Sequence, residues 1–131
     1  MVARQTEIKP SVADDEFSFS PCPIRNVLDR IGDQWSLLVL EALEPQTLRF
    51  NALRRAIGDV SQHMLARTLK RLEQDGFVSR TLYPVIPPRV DYALTPLGRS
   101  LMVPLRDLMT WADRNHDAVC AARRAYRHTA S

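Results

Sequence analysis

The hydrophobic period of this chain switches from helical to alternating within a short stretch, and that switch limits the folds open to it. Leu65, Leu69 and Leu72 fall at i, i+4 and i+7, the buried stripe of an amphipathic helix. Val90, Tyr92 and Leu94 alternate, as a strand does when one side is covered. Between them, residues 77–83 are rich in β-branched and aromatic side chains and predict a first strand. Pro84-Val85-Ile86-Pro87-Pro88 has too few N–H groups for a central strand and reads as a stiff loop. The segment is therefore a helix that runs straight into a proline-tipped hairpin.

The residues before it complete a motif. A helix is expected over 51–57, burying Leu53 and Ile57, and Gly58-Asp59 makes a turn. Ser61 then caps the helix that continues to about Asp75, where Gly76 closes it. Burying its three leucines contributes on the order of 1.5–3 kcal/mol each. The opposite side carries Gln62, His63, Arg67, Lys70 and Arg71. Two helices joined by a tight glycine turn, the second basic on its outer side, describe a helix-turn-helix, and the hairpin adds a wing.

The flanks read as helices. Pro23 suits a first helical position, followed by Ile24, Val27, Leu28 and Ile31 and a stop at Gly32. Asp33 caps a second helix with Trp35, Leu38, Val39, Ala42 and Leu43 inside. Leu48-Arg49-Phe50 is a candidate short strand. Thr95-Pro96 opens a long last helix with the stripe Leu97, Leu101, Leu105, Leu108 and Ala112, flanked by Met109 and Trp111. Pro104 should kink or divide it. The expected fold is mainly α with a small β-hairpin wing, a winged helix-turn-helix. The expected organisation is a flexible arm over 1–20, the winged domain with its dimerisation helices over 21–112, and a helical extension and tail over 113–131.

With 131 residues the chain has room for one domain. No run of eighteen apolar residues and no signal-peptide core are present, so a cytoplasmic location is expected, with no membrane contact. Two cysteines fit a reducing compartment. There is no glycine-rich phosphate loop, no GxSxG elbow and no HExxH helix, so neither an enzyme nor a cofactor is expected. Net charge is +3, but unevenly placed: −4 over residues 1–48, +5 over 49–90 and +2 over 91–131. The basic middle points to a polyanion.

A helix fits the major groove of DNA and its first residues reach base edges. Gln62 suits adenine and Arg67 guanine, whereas Lys70 and Arg71 suit phosphates. Ser61, His63 and Arg89 complete the candidate DNA-binding set. The alternative is a winged module that docks on protein without specific DNA binding, a class that often lacks a basic recognition face.

Linked motifs across residues 21–111 resemble those of HxlR-type transcriptional regulators, a winged-helix branch related to the MarR group. They are Cys22-Pro23, Ile31-Gly32-Asp33-Gln34-Trp35, Arg49-Phe50-Asn51-Ala52-Leu53, Ser61-Gln62-His63-Met64-Leu65, Leu69-Lys70-Arg71-Leu72-Glu73, Gly76-Phe77-Val78-Ser79-Arg80, Tyr83, Pro87-Pro88-Arg89-Val90-Asp91-Tyr92, Leu94-Thr95, Gly98 and Trp111. Gln34 departs from the usual lysine, and Ala66 from a common hydroxyl residue. The resemblance implies a homodimer on operator DNA, held by the first and last helices, and in some members oxidant or electrophile sensing through the N-terminal cysteine.

If Pro23 is the first helical residue, Cys22 is the N-cap, where the helix dipole favours a reactive thiolate. The alternative is a small apolar residue covered by the partner subunit. Cys120, late in the last helix, is a second redox candidate and a pairing partner for Cys22 of a twin subunit. His116 and Cys120, at i and i+4, could face one side of a helix, and two dimer copies would supply four ligands, but the ligands of a structural zinc site are usually more closely clustered, so no metal is expected.

Overall fold

Proline at a first helical position sacrifices no hydrogen bond, and Pro23 opens α1 (Pro23–Ile31) with Cys22 as its N-cap. The structure, a computed structural model, describes residues 21–130; the expected arm over 1–20 lies outside them. Asp33 caps α2 (Gln34–Leu43), its carboxylate accepting the Ser36 N–H at 2.7 Å. The chain continues through β1 (Leu48–Arg49), α3 (Phe50–Ile57), α4 (Gln62–Gln74), β2 (Val78–Tyr83), β3 (Arg89–Leu94) and α5 (Pro96–Ala130). Phe50 starts α3 rather than extending the short strand.

β2 and β3 form the antiparallel hairpin, with Val78 opposite Leu94 and Tyr83 opposite Arg89. β1 adds to the far edge of β3 through Leu48 opposite Tyr92, giving the order β1-β3-β2. The wing is thus three-stranded at its base. The segment between α2 and α3 has ladder groups to pair, and β3 offers an open edge.

The core gathers Val39, Leu40 and Leu43 of α2, Leu53 of α3, Val60 of the turn, and Leu65, Leu69 and Leu72 of α4. Val78 and Leu94 close it from the hairpin, and Met102 and Leu105 from α5. α2 packs against α1, α3, α4, α5 and β3, so it is the central pillar. Its inner side includes Leu40, and Leu38, expected inside, is 36% exposed. A helix surrounded on several sides buries more than one stripe, so periodicity alone misplaces its edge.

α5 departs most from expectation. Pro104 lies inside one continuous helix of 35 residues, about 50 Å long, and does not divide it. Its missing N–H deprives the Ser100 carbonyl, but Ser100 is exposed and water can take that place. Met102 and Leu105, on either side of the proline, are both buried, so the core grips the helix across it. The chain's own core takes these two, with Leu101 and Met109 partly covered. Leu97, Leu108 and Trp111 of the expected stripe stay more than half exposed.

Two joints fix the wing to the helices. α4 ends in a Schellman motif: the Phe77 N–H reaches the Leu72 carbonyl and the Gly76 N–H the Glu73 carbonyl, both at 3.0 Å, with Gly76 at φ +82°. Thr95 then links sheet to α5. Its hydroxyl oxygen accepts the Gly98 N–H at 3.0 Å and its O–H donates to the Gly76 carbonyl. An ion pair between Arg30 and Asp75 ties α1 to the end of α4.

Candidate nucleic-acid interface

α3 and α4 make the helix-turn-helix, and the turn depends on one backbone conformation. Gly58 sits at φ +102°, where a side chain would be strained. Its N–H bonds the Arg54 carbonyl at 2.9 Å, and its own carbonyl accepts the Val60 N–H at 2.9 Å. Val60 drops into the core and pins the turn. Arg54 braces it from outside, its Nε donating to the Val60 carbonyl at 3.2 Å.

Ser61 starts α4 as expected: its hydroxyl oxygen accepts the Met64 N–H at 3.0 Å. From that start the helix rotates Leu65, Thr68, Leu69 and Leu72 inward and Gln62, His63, Arg67 and Lys70 outward. Thr68 is satisfied locally, its hydroxyl donating to the Met64 carbonyl at 2.8 Å. The four outward residues are therefore brought together on one exposed side of a helix whose position is set by leucines.

Two of the expected residues sit differently. Arg71 is half-buried and its Nε, buried, has no hydrogen-bond partner among the described residues, so the stem lies against the protein and only its far end can reach outward. Arg89 lies at the start of β3, as expected, but its head is engaged within the wing. Its guanidinium stacks over the Tyr83 ring at 4.2 Å and stands 3.3 Å from Asp91. The Tyr83 stacking follows from the hairpin register, which spacing along one strand does not reveal, whereas Asp91, two residues on in β3, shares a side with Arg89 through strand alternation. The wing tip carries no charge, and Val85 and Ile86 are exposed there.

The α3 side of the motif was not apparent from the sequence as a site. Asn51, Arg54, Arg55 and Gly58 line an open concavity of about 300 Å³ beside the turn. The i, i+3, i+4 spacing was the available signal.

The two thiols lie on the first and last helices. Cys22 is the exposed N-cap of α1; its side chain makes no capping bond, and its carbonyl accepts the Asn26 N–H at 3.2 Å. Cys120 is half-buried on α5, its Sγ 3.5 Å from Nε2 of His116. Elsewhere on α5, hydrogen bonding to Glu44 holds the Arg106 guanidinium above its ordinary value and ties α5 to the end of α2.

A helix-turn-helix with an outward polar and basic second helix and an attached hairpin defines a winged helix-turn-helix DNA-binding domain. The family model described as an HxlR-like helix-turn-helix matches residues 30–119. The chain is 42% identical over 119 residues to an HTH-type transcriptional regulator of Escherichia coli K12, YtfH, covering 91% of this chain and 94% of the relative. Its fold superposes on the transcriptional regulator ytfH of Salmonella typhimurium with a TM-score of 0.69, at 47% identity over 79% of this chain and 92% of the other. The reduced form of the redox regulator HypR matches with a TM-score of 0.70, at 35% identity over 75% and 97% of the two chains. The chain belongs to the HxlR family and is a transcriptional regulator with a helix-turn-helix DNA-binding domain.

Proposed function

We propose that the protein acts in the cytoplasm as a homodimer on a near-palindromic operator, with α4 of each subunit in a major groove. Gln62 and Arg67 read base edges, His63 and Ser61 contact the duplex at the helix start, and Lys70, Arg71 and Arg89 hold phosphates. The observation that carries this reading is the division of α4: its leucines are buried while Gln62, His63, Arg67 and Lys70 are exposed together.

The apolar side chains that the monomer leaves uncovered support the dimer. Ile24 and Leu28 on α1, and Leu97, Val103, Leu108 and Trp111 on α5, are each more than half exposed. Helices with so much apolar surface are stable in water against a partner, and a two-fold pairing of the terminal helices covers them. The two recognition helices then meet major grooves about 34 Å apart. The second half of the proposal is that an oxidant or a small electrophile acts at Cys22, which is exposed at a helix N-terminus. Likeness to a redox regulator supports it. Cys120 is the second candidate thiol.

Selection of binding sites from random duplexes tests both halves when run on reduced and then oxidised protein. The expected result is a two-fold motif enriched by reduced protein, with affinity falling about 10³–10⁵-fold between 50 and 200 mM salt if 6–10 phosphates are neutralised. Enrichment of no motif, with recovery of a protein partner instead, refutes the operator. Identical selection in both redox states refutes the sensing.

A further inference from the structure

α3 has a polar side that the base-reading helix does not use. We propose that Asn51, Arg54, Arg55 and the Gly58 turn form a seat for a phosphate group, occupied by a backbone phosphate of the operator. The proposal rests on the DNA-binding reading and adds to it a contact set on the other helix of the motif.

Asn51, Arg54 and Arg55 are spaced i, i+3, i+4 on an eight-residue helix, so their side chains share one side. With Gly58 they line an open concavity of about 300 Å³, roughly ten times the share of one liquid water, about 30 Å³. Among the described residues no acidic side chain lines it; Asp59, exposed in the turn, is the nearest acid along the chain. Gly58 places no side chain at the rim.

One donor of Arg54 is engaged before any ligand arrives. Its Nε is held by the Val60 carbonyl, which uses one of five N–H donors and leaves the terminal nitrogens for an anion. A guanidinium ordered in advance loses less entropy on binding than a mobile one, and its fork matches phosphate oxygens. Arg55 adds a second positive charge and Asn51 a neutral donor.

Cations near the end of α3 also face its unpaired carbonyls, and that alone explains a basic last turn. It does not explain Asn51 at the other end of the same side, nor a concavity between them. When the second helix of such a motif occupies a major groove, the first crosses the sugar–phosphate backbone. The seat lies on that first helix, one turn from α4, where a phosphate would fix the register of Gln62 and Arg67 on the bases.

The test is salt-dependent binding of the full chain to its selected operator and to an unrelated duplex, for wild type, Arg55→Ala, Asn51→Ala and Arg67→Ala. Arg55 is exposed, so its truncation leaves the core intact. Arg55→Ala is expected to weaken both duplexes by the same factor and to lower the salt slope by about one per subunit. Arg67→Ala is expected to change the ratio between the duplexes instead. Asn51→Ala is expected to weaken both duplexes without changing the slope; an unchanged slope in Arg55→Ala overturns the seat, as does a loss confined to the operator.

A second arm separates the source of the phosphate. At matched ionic strength, inorganic phosphate should raise the melting temperature no more than sulfate does. A phosphate-specific rise that vanishes in Arg55→Ala assigns the seat to a soluble phosphate compound and overturns the backbone assignment. If wild type binds no duplex, the DNA-binding reading itself fails, and absence of any phosphate-dependent rise then ends the seat as well.

Discussion

Replacing Gly98 by alanine puts a methyl group where the fold has no room. Gly98 is buried in the first turn of α5, and a Cβ built there stands 2.2 Å from the Phe77 carbonyl oxygen and 3.3 Å from a Leu94 methyl. Real Cβ atoms essentially never approach closer than 3.0 Å, so α5 or the start of β2 must move by at least 0.8 Å, the difference between the two figures. The obstacle is backbone and cannot rotate away. Such a shift stretches the Thr95 N–H bond to the Phe77 carbonyl, 3.1 Å long, and disturbs the Thr95 hydroxyl between Gly76 and Gly98. Overpacking costs about 1–3 kcal/mol and each weakened hydrogen bond about 0.5–1.5 kcal/mol. Alanine returns about 0.5–1 kcal/mol through its helix preference. With one hydrogen bond weakened, the net loss is about 0.5–4 kcal/mol, which for a domain of this size lowers the melting temperature by roughly 2–20 °C. Thermal unfolding followed by circular dichroism reads it directly. Because alanine favours a helix wherever there is space, a melting temperature equal to or above wild type would refute the packing argument at this joint.

Other changes probe the recognition helix and the thiols. Arg67→Ala should raise the operator Kd by roughly 5- to 150-fold, about 1–3 kcal/mol, and relax preference at one base position, as read by competition with single-substituted duplexes. Ser61→Ala removes the cap oxygen that holds the Met64 N–H and should cost about 0.5–2 kcal/mol in chemical denaturation. Cys22→Ser places a better cap at α1, so stability should hold or rise slightly while the response of DNA binding to diamide disappears; a retained response moves the sensing to Cys120. Oxidised wild type should show a dimer band on a non-reducing gel that is lost in either Cys22→Ser or Cys120→Ser if the two thiols pair between subunits. Arg106, a base whose value is raised in the fold, contributes stability that is complete below its ordinary value and lost only above it. The stability difference between wild type and Arg106→Gln should therefore stay flat from about pH 7 to pH 10, and a decline within that range would show that another group titrates.

The helix-turn-helix and hairpin were legible because their signals are local. Gly58, Ser61, Gly76 and Thr95 act on backbone groups within a few residues, and Leu65, Leu69 and Leu72 mark one side of a helix whatever lies beneath. The same locality set the limits at Arg71 and Arg89. Whether a long cation points outward depends on what packs beside its stem. Arg89 meets Tyr83 only because the hairpin register puts them opposite one another. Arg54 meets the Val60 carbonyl only because the turn folds back on α3, and no spacing along that helix indicates it.

What the order of amino acids determined by itself was the succession of elements, the cap at each recognition-helix end, and which side of α4 is greasy. These follow from steric and hydrogen-bonding rules that act along the chain. Only the folded molecule decided how far α5 runs unbroken through Pro104, which of its apolar residues the monomer consumes, and that the short strand at Leu48–Arg49 pairs with β3 to complete the wing. Those outcomes depend on competition among distant surfaces for a limited interior, and no residue carries that result in its own identity.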